Sequence, residues 1–149
     1  MKPCTTCGND IADDAWRCQW CGSQQTGAAP RPRRKRPRIV TVDLEAGRPT
    51  VAQAMRRMES ELMAARTLGA RVVRLIHGYG SSGTGGRIRT AALSLLRRMQ
   101  RRGLISAFLP GDEYSELSDA TRELLARHPG LEAGLRTDRL NPGITLVEL

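Results

Sequence analysis

Val72-Val73-Arg74-Leu75-Ile76-His77-Gly78-Tyr79-Gly80 runs directly into Ser81-Ser82-Gly83-Thr84-Gly85-Gly86-Arg87-Ile88-Arg89, and the reading of this junction decides the fold. A β-branched run predicts a strand, the Gly/Ser/Thr stretch predicts a loop, and a basic helix should follow to about Arg102. A strand, a glycine loop and a helix start together aim free backbone N–H groups at one spot, and the helix dipole makes that spot attractive to an anion. Arg87 and Arg89 add charge there, so phosphate is the natural guest. Gly78-x-Gly80-x-x-Gly83 spells the dinucleotide fingerprint by letter, but the loop is too long and no acidic residue ends a following strand. No G-K-[ST] closes the loop, which excludes a Walker A motif. A plain connection is the alternative reading of the same letters.

Outward from the junction, elements alternate. Ile39–Glu45 reads as a strand with Val40, Val42 and Leu44 on one face and Thr41, Asp43 and Glu45 on the other. Gly47-Arg48-Pro49 turns the chain, and Thr50 with Gln53 forms a capping box for a helix to Leu68, ended by Gly69. Its apolar stripe is Val51, Met55, Met58, Leu62 and Ala65. After the loop, Ile88, Ala92, Leu95, Leu96 and Met99 face inward. Arg97, Arg98, Arg101 and Arg102 crowd the end of that helix, where they either complement its dipole or extend a basic face. Leu104–Leu109 predicts a third strand, Asp119–Arg127 a short helix with Leu124 and Leu125 inward, and Ile144–Leu149 a closing strand. His128 reads as a surface residue at a helix end. The order implies an α/β fold with a mostly parallel or mixed sheet over residues 39–149.

The N-terminus is built differently. Cys4-x-x-Cys7 and Cys18-x-x-Cys21 are each followed by glycine, the spacing of two knuckles that complete one tetrahedral Zn²⁺ site. Residues 1–23 are too short to hold a core, so metal would supply the folding energy of this zinc ribbon. Trp16 and Trp20 flank Cys18, and one or both are expected to pack on the ribbon as its only core; the alternative leaves Trp20 free to stack on a base. Residues 24–38 hold three prolines and six Lys/Arg and read as an extended arm. Its run Arg33-Arg34-Lys35-Arg36 is a counterion-releasing tether for phosphates, or a solvated spacer.

Composition narrows the function classes. The 149 residues carry a formal net charge of +9, mostly from arginine, whose fork grips phosphate in bidentate fashion. Residues 1–38 hold eight Lys/Arg against three Asp, so the basic excess is concentrated there. Aromatics are 3% of the chain, which argues for backbone contacts rather than a base-stacking sheet. With no long apolar run and no apolar segment after Met1-Lys2-Pro3-Cys4, a cytoplasmic protein with no membrane partner is expected. Nucleic acid, RNA or DNA, is the expected partner.

Three separated motifs resemble the Smr (small MutS-related) family over about residues 40–149. These are Asp43-Leu44-Glu45-Ala46, then Ile76-His77-Gly78-Tyr79-Gly80 with Ile88-Arg89, then Gly143-Ile144-Thr145-Leu146-Val147-Glu148-Leu149. The resemblance implies a two-layer sandwich like the C-terminal domain of translation initiation factor three, a mixed four-stranded sheet with helices. It also implies nucleic-acid binding, often with endonuclease activity. The chain departs from the family at Glu45, where the family has histidine, at Tyr79, where lysine is frequent, and in a longer segment between Pro110 and Gly143. Losing that histidine removes the obvious general acid/base. In a cleaving domain, Asp43 helped by Glu45 or His77 would be the catalytic set, with Mg²⁺ or Mn²⁺ as metal. Gly78, Tyr79, Gly80, Ser81, Ser82, Arg87 and Arg89 would hold the phosphate. The competing class is a non-catalytic adaptor that docks on a ribosomal or DNA-repair protein through the ribbon and arm.

Overall fold

The computed structural model describes residues 1–26, 38–79 and 85–149. The chain divides into two compact units, residues 1–35 and 36–149. In the first, β1 (Lys2–Pro3) pairs antiparallel with β2 (Asp10–Ile11). Its core is Ile11, 1% exposed, with Cys4 and Cys18 and the half-buried Ala15 beside them. The tryptophans are not in that core: Trp16 and Trp20 are 45% and 66% exposed, which corrects the expectation from sequence. Two knuckles folded back on each other leave room for one aliphatic side chain, and Ile11 takes it. The ordered ribbon also continues past residue 23, because Arg17 bridges Gln24 and the Gln25 side chain is buried.

In the second unit, β3 (Ile39–Asp43) leads to α1 (Val51–Thr67), β4 (Val72–Ile76), α2 (Gly85–Arg101) and β5 (Ala107–Pro110). Two short helices, α3 (Asp119–Arg127) and α4 (Leu135–Asp138), precede β6 (Ile144–Glu148). The four strands form one mixed sheet in the order β3-β4-β6-β5. β3 and β4 are parallel, in register Ile39 to Val72 and Asp43 to Ile76, while β6 runs antiparallel to both β4 and β5. This is an α/β fold.

Local chemistry explains the elements. The Thr50 hydroxyl accepts from the Gln53 N–H while the Gln53 side chain accepts from the Thr50 N–H, a closed capping box at the start of α1. Met58 and Leu62 are fully buried under that helix, each contributing about 2 kcal/mol by leaving water. All five inward positions expected on α2 are buried. Together α1 and α2 cover one sheet face, meeting Val73, Leu75 and Val147.

The segment between Pro110 and Gly143 covers the other face. Tyr114, Leu124, Leu131 and the half-buried Leu125 and Leu135 pack on Val72, Leu109 and Leu146. Arg74 fastens this cover, its fork gripping the buried carboxylate of Asp138 at 2.8 and 2.5 Å. β5 starts three residues later than the sequence suggested. Gly103, at φ +72°, turns the chain out of α2, and Leu104 N–H returns to the Met99 carbonyl before Ala107 joins the sheet.

Candidate nucleic-acid interface and metal centre

The parallel pair β3 and β4 end side by side, and β6 begins beside them. The Leu44 N–H donates to the Ile76 carbonyl, so the ladder continues one residue past the end of β3. The His77 and Gly78 N–H groups both donate to the Gly143 carbonyl, at 2.9 and 3.0 Å. Gly78 has φ +67°, and a Cβ there would lie 2.2 Å from Glu45 Oε1, so the Glu45 carboxylate rests against the bare Cα. A Cβ on Gly143 would meet the Tyr79 ring at 3.3 Å and the Gly78 Cα at 3.5 Å. The three motifs therefore meet at one sheet end. Tyr79 is 61% exposed there.

Arg89 on the second turn of α2 reaches across this end, donating from Nε to the Pro142 carbonyl at 3.1 Å and from Nη2 to Asp112 at 3.2 Å. Its guanidinium is thus partly engaged, with Asp112 as a competitor for any phosphate. Arg87 is exposed. Arg57 of α1 ties the β3–α1 loop through the Ala46 carbonyl at 2.7 Å. Sequence reasoning passed over Arg57, Asp112 and Asn141, whose side-chain oxygen accepts the Gly143 N–H at 2.9 Å. The Asn141-Pro142-Gly143 turn was the available signal for the last of these. Gly80, Ser81 and Ser82, and Arg33, Arg34, Lys35 and Arg36 of the arm, lie outside the described residues.

Asp43, Glu45 and His77 are not brought together as one acid/base set. Asp43 accepts the Glu45 N–H at 2.9 Å, so these two stay neighbours. Both follow the strand phase of Ile39, which packs on the cover side. His77 follows Val73 and Leu75, which face α1 and α2. The His77 ring is fully buried, with Nδ1 2.8 Å from the Gly78 carbonyl and Nε2 2.8 Å from the Thr145 hydroxyl. A neutral ring satisfies both contacts, Nδ1–H donating to the carbonyl and Nε2 accepting from the hydroxyl. Burial pushes the imidazole below its ordinary 6.5, and the nearby charge of Arg89 pushes the same way. His128 differs from its expected role as well: it is half-buried and lies 2.9 Å from Glu148, which Arg127 also holds at 3.0 Å.

The four cysteines converge. Their sulfurs lie within 4.8 Å of one another, and no other group of three or more potential ligands occurs among the described residues. Cys4 and Cys21 are 3.8 Å apart and Cys7 and Cys18 3.6 Å. A tetrahedral ion with bonds of about 2.3 Å to sulfur requires about 3.8 Å between sulfurs, so the set fits one metal ion and is too long for disulfides.

The knuckles repeat one pattern. Cys4 N–H bonds the Asn9 carbonyl and Gly8 N–H returns to Cys4, while Cys18 N–H bonds Ser23 and Gly22 N–H returns to Cys18. Gly8 and Gly22 have φ +75° and +73°, the conformation that lets the backbone wrap its sulfurs. Gln25 Nε2 donates to Cys4 Sγ at 3.2 Å and its Oε1 accepts from Thr5 N–H at 2.9 Å, locking the ligand shell. The Cys7 N–H, aided by Thr6 and Ser23, brings the Cys4 thiol down to about 5, and Ser23 lowers Cys21.

Among the described residues, no helix is long and apolar enough to cross a membrane. No family model matches the chain, and no curated protein matches it. Among solved structures it is similar to the Smr domain of Thermus thermophilus MutS2, at 28% identity over 74% of this chain and 96% of that one, with a TM-score of 0.46.

Proposed function

We propose that this chain is an Smr-type nucleic-acid-binding protein that grips phosphates, with a structural Zn²⁺ in its N-terminal ribbon. One observation carries the reading: the ends of β3 and β4, the exposed Tyr79 and the start of α2 with Arg87 come together at one sheet end. Open α/β sheets place ligands at the C-terminal ends of their parallel strands. Anions are favoured at a helix N-terminus. Gly78 and Arg89 lie at the same end, and the residue types of Gly80, Ser81, Ser82 and of Arg33, Arg34, Lys35 and Arg36 suit them to further phosphate contacts. Binding rather than cleavage is the better reading. The buried, neutral His77 is committed to Gly78 and Thr145, and Asp43 and Glu45 lie in the opposite strand phase. Zinc is the ion we assign to the four thiolates because Cys₄ tetrahedra of this size are its preferred structural site.

The test is binding of labelled RNA and DNA by the full chain across a salt series. Affinity should fall steeply, with a log–log slope of several units, and the slope should flatten when Arg33, Arg34, Lys35 and Arg36 become glutamine. Salt-independent affinity would overturn the reading. Incubation with Mg²⁺ or Mn²⁺ should leave the polymers intact; cleavage abolished by Asp43→Ala would restore the nuclease assignment. The exposed Trp16 and Trp20 favour a second reading, an adaptor whose ribbon docks on a protein. A cellular partner retained after complete nuclease digestion would support it.

A further inference from the structure

The end of the sheet remote from this interface carries a second basic feature. An open hollow of about 470 Å³ lies between α1 and α2, lined by Glu59, Leu95, Arg98, Met99, Arg101, Arg102 and Leu104. Three guanidinium groups face one carboxylate. Helix-dipole compensation explains charge at this helix end but gives the three guanidiniums no partner. Among the described residues Arg98, Arg101 and Arg102 make no side-chain hydrogen bond or ion pair, whereas Arg66 of α1 is engaged just beyond α2, donating to the Leu104 carbonyl at 2.9 Å. Holding three unpaired guanidiniums together costs repulsion that an anion would relieve.

Two further observations connect the hollow to the interface. The helix between them, α2, contains five arginines and no carboxylate over Gly85–Arg101. Its exposed residues Arg87, Thr90, Ser94, Arg98 and Arg101 follow the three-and-four spacing of a single face. That stripe runs from the strand ends to the hollow, about 21 Å at about 1.5 Å per residue. The larger unit's described chain also begins at the hollow's end of the sheet, at Arg38. Arg71 N–H donates to the Arg38 carbonyl, Leu149 N–H to Arg71, Ser106 N–H to Glu148, and the Gln100 side chain to Ser106 at the end of α2. Arg38 and Arg71 are both exposed.

We propose that the Arg98–Arg101–Arg102 hollow is a second phosphate subsite, and that α2 is the track along which one nucleic-acid backbone passes from the strand-end interface to this hollow. This rests on the nucleic-acid reading above and adds its footprint. At about 3.4 Å of rise per phosphate on one strand, 21 Å is about six base-pair steps. A substrate shorter than that engages only one end of the track.

The experiment uses the full chain and labelled hairpins with stems of 4, 8, 12 and 16 base pairs closed by the same tetraloop. Wild-type affinity should rise by about tenfold between the 4- and 8-pair stems. In Arg98→Gln/Arg101→Gln/Arg102→Gln that step should vanish, the 4-pair stem should bind as before, and the salt slope on the 12-pair stem should fall by about two to three units. An Arg-to-Lys triple variant, which keeps the charge and loses the fork, should recover part of the step. Circular dichroism of each variant checks the fold. If the glutamine variant keeps the step, or weakens all stems equally, the subsite is wrong while nucleic-acid binding stands. If polyglutamate displaces the 12-pair stem as well as unlabelled hairpin does, the hollow is a general polyanion surface and the track is wrong. If the wild type binds no stem, the nucleic-acid reading itself fails.

Discussion

Two glycines near the strand-end interface have different reasons for having no side chain. At Gly111 a Cβ would fall 1.9 Å from the Asn141 carbonyl oxygen and 2.7 Å from an Ile144 carbon, in a backbone that cannot retreat. At Gly78 the obstacle is only the mobile end of Glu45, and the penalty is the positive φ. Gly111→Ala should therefore cost about 2–3 kcal/mol as an overpacking change, and Gly78→Ala about 1–2 kcal/mol as backbone strain. Because Glu45 can swing away, a Glu45→Ala background should barely reduce the Gly78→Ala cost; urea denaturation of the single and double variants measures this.

His77 carries a second residue-scale prediction. Its folded pKa lies below its ordinary 6.5, so the unfolded chain binds the proton more readily. Its contribution to stability is then fully present above about pH 6.5 and is lost as the pH falls through the lower folded value. His77→Gln should lower stability at neutral pH and flatten the loss of stability below pH 6.5, read from denaturation midpoints at several pH values. The burial of this ring was legible in the sequence after all. Strand alternation puts residue 77 in phase with Val73 and Leu75, towards the helices. The attraction of a histidine next to a glycine loop obscured the simpler pattern.

At the scale of elements, the parts with a period could be read and the parts without one could not. The Thr50–Gln53 box and the stripes of α1 and α2 stand in the sequence as they stand in the fold, because a long amphipathic helix repeats its signal over several turns. The ends of these elements were legible for a different reason: glycines mark where β4 stops and α2 starts. The cover on the second sheet face had no such repeat. Leu131 and Leu135 sit in a six-residue 3-10 turn and a four-residue helix, too short to show periodicity. The Arg74–Asp138 pair that secures it spans 64 residues.

That pair is testable. The Arg74 and Asp138 side chains are 22% and 8% exposed, so Asp138→Ala leaves a half-buried guanidinium without its acceptor. The expected loss is about 2–3 kcal/mol. Arg74→Met/Asp138→Leu, which replaces both charges by apolar groups of similar size, should lose less than Asp138→Ala alone. Exchange of the amide protons in α3 and α4 should accelerate in Asp138→Ala before that of α1, since only the cover depends on the pair.

For the whole molecule, two units are stabilised by different physics. Residues 36–149 bury two apolar clusters against a four-stranded sheet, enough to hold a fold by burial. Among the described residues the ribbon's only fully buried aliphatic side chain is Ile11, so on the zinc reading proposed above its stability comes from metal–thiolate bonds. Both tryptophans of the chain lie in the ribbon and both are exposed, so indole emission reports on that unit alone. Purified protein should carry about one zinc per chain. A strong chelator should shift tryptophan emission and release four reactive thiols, while the thermal transition of the larger unit, followed by far-ultraviolet circular dichroism, stays in place. Restoring Zn²⁺ should reverse the emission change, and Cys18→Ser should prevent the recovery. Emission indifferent to the chelator in metal-loaded protein would show that the ribbon holds itself together without the ion. A fall in the body's own transition would show that the two units depend on each other for stability.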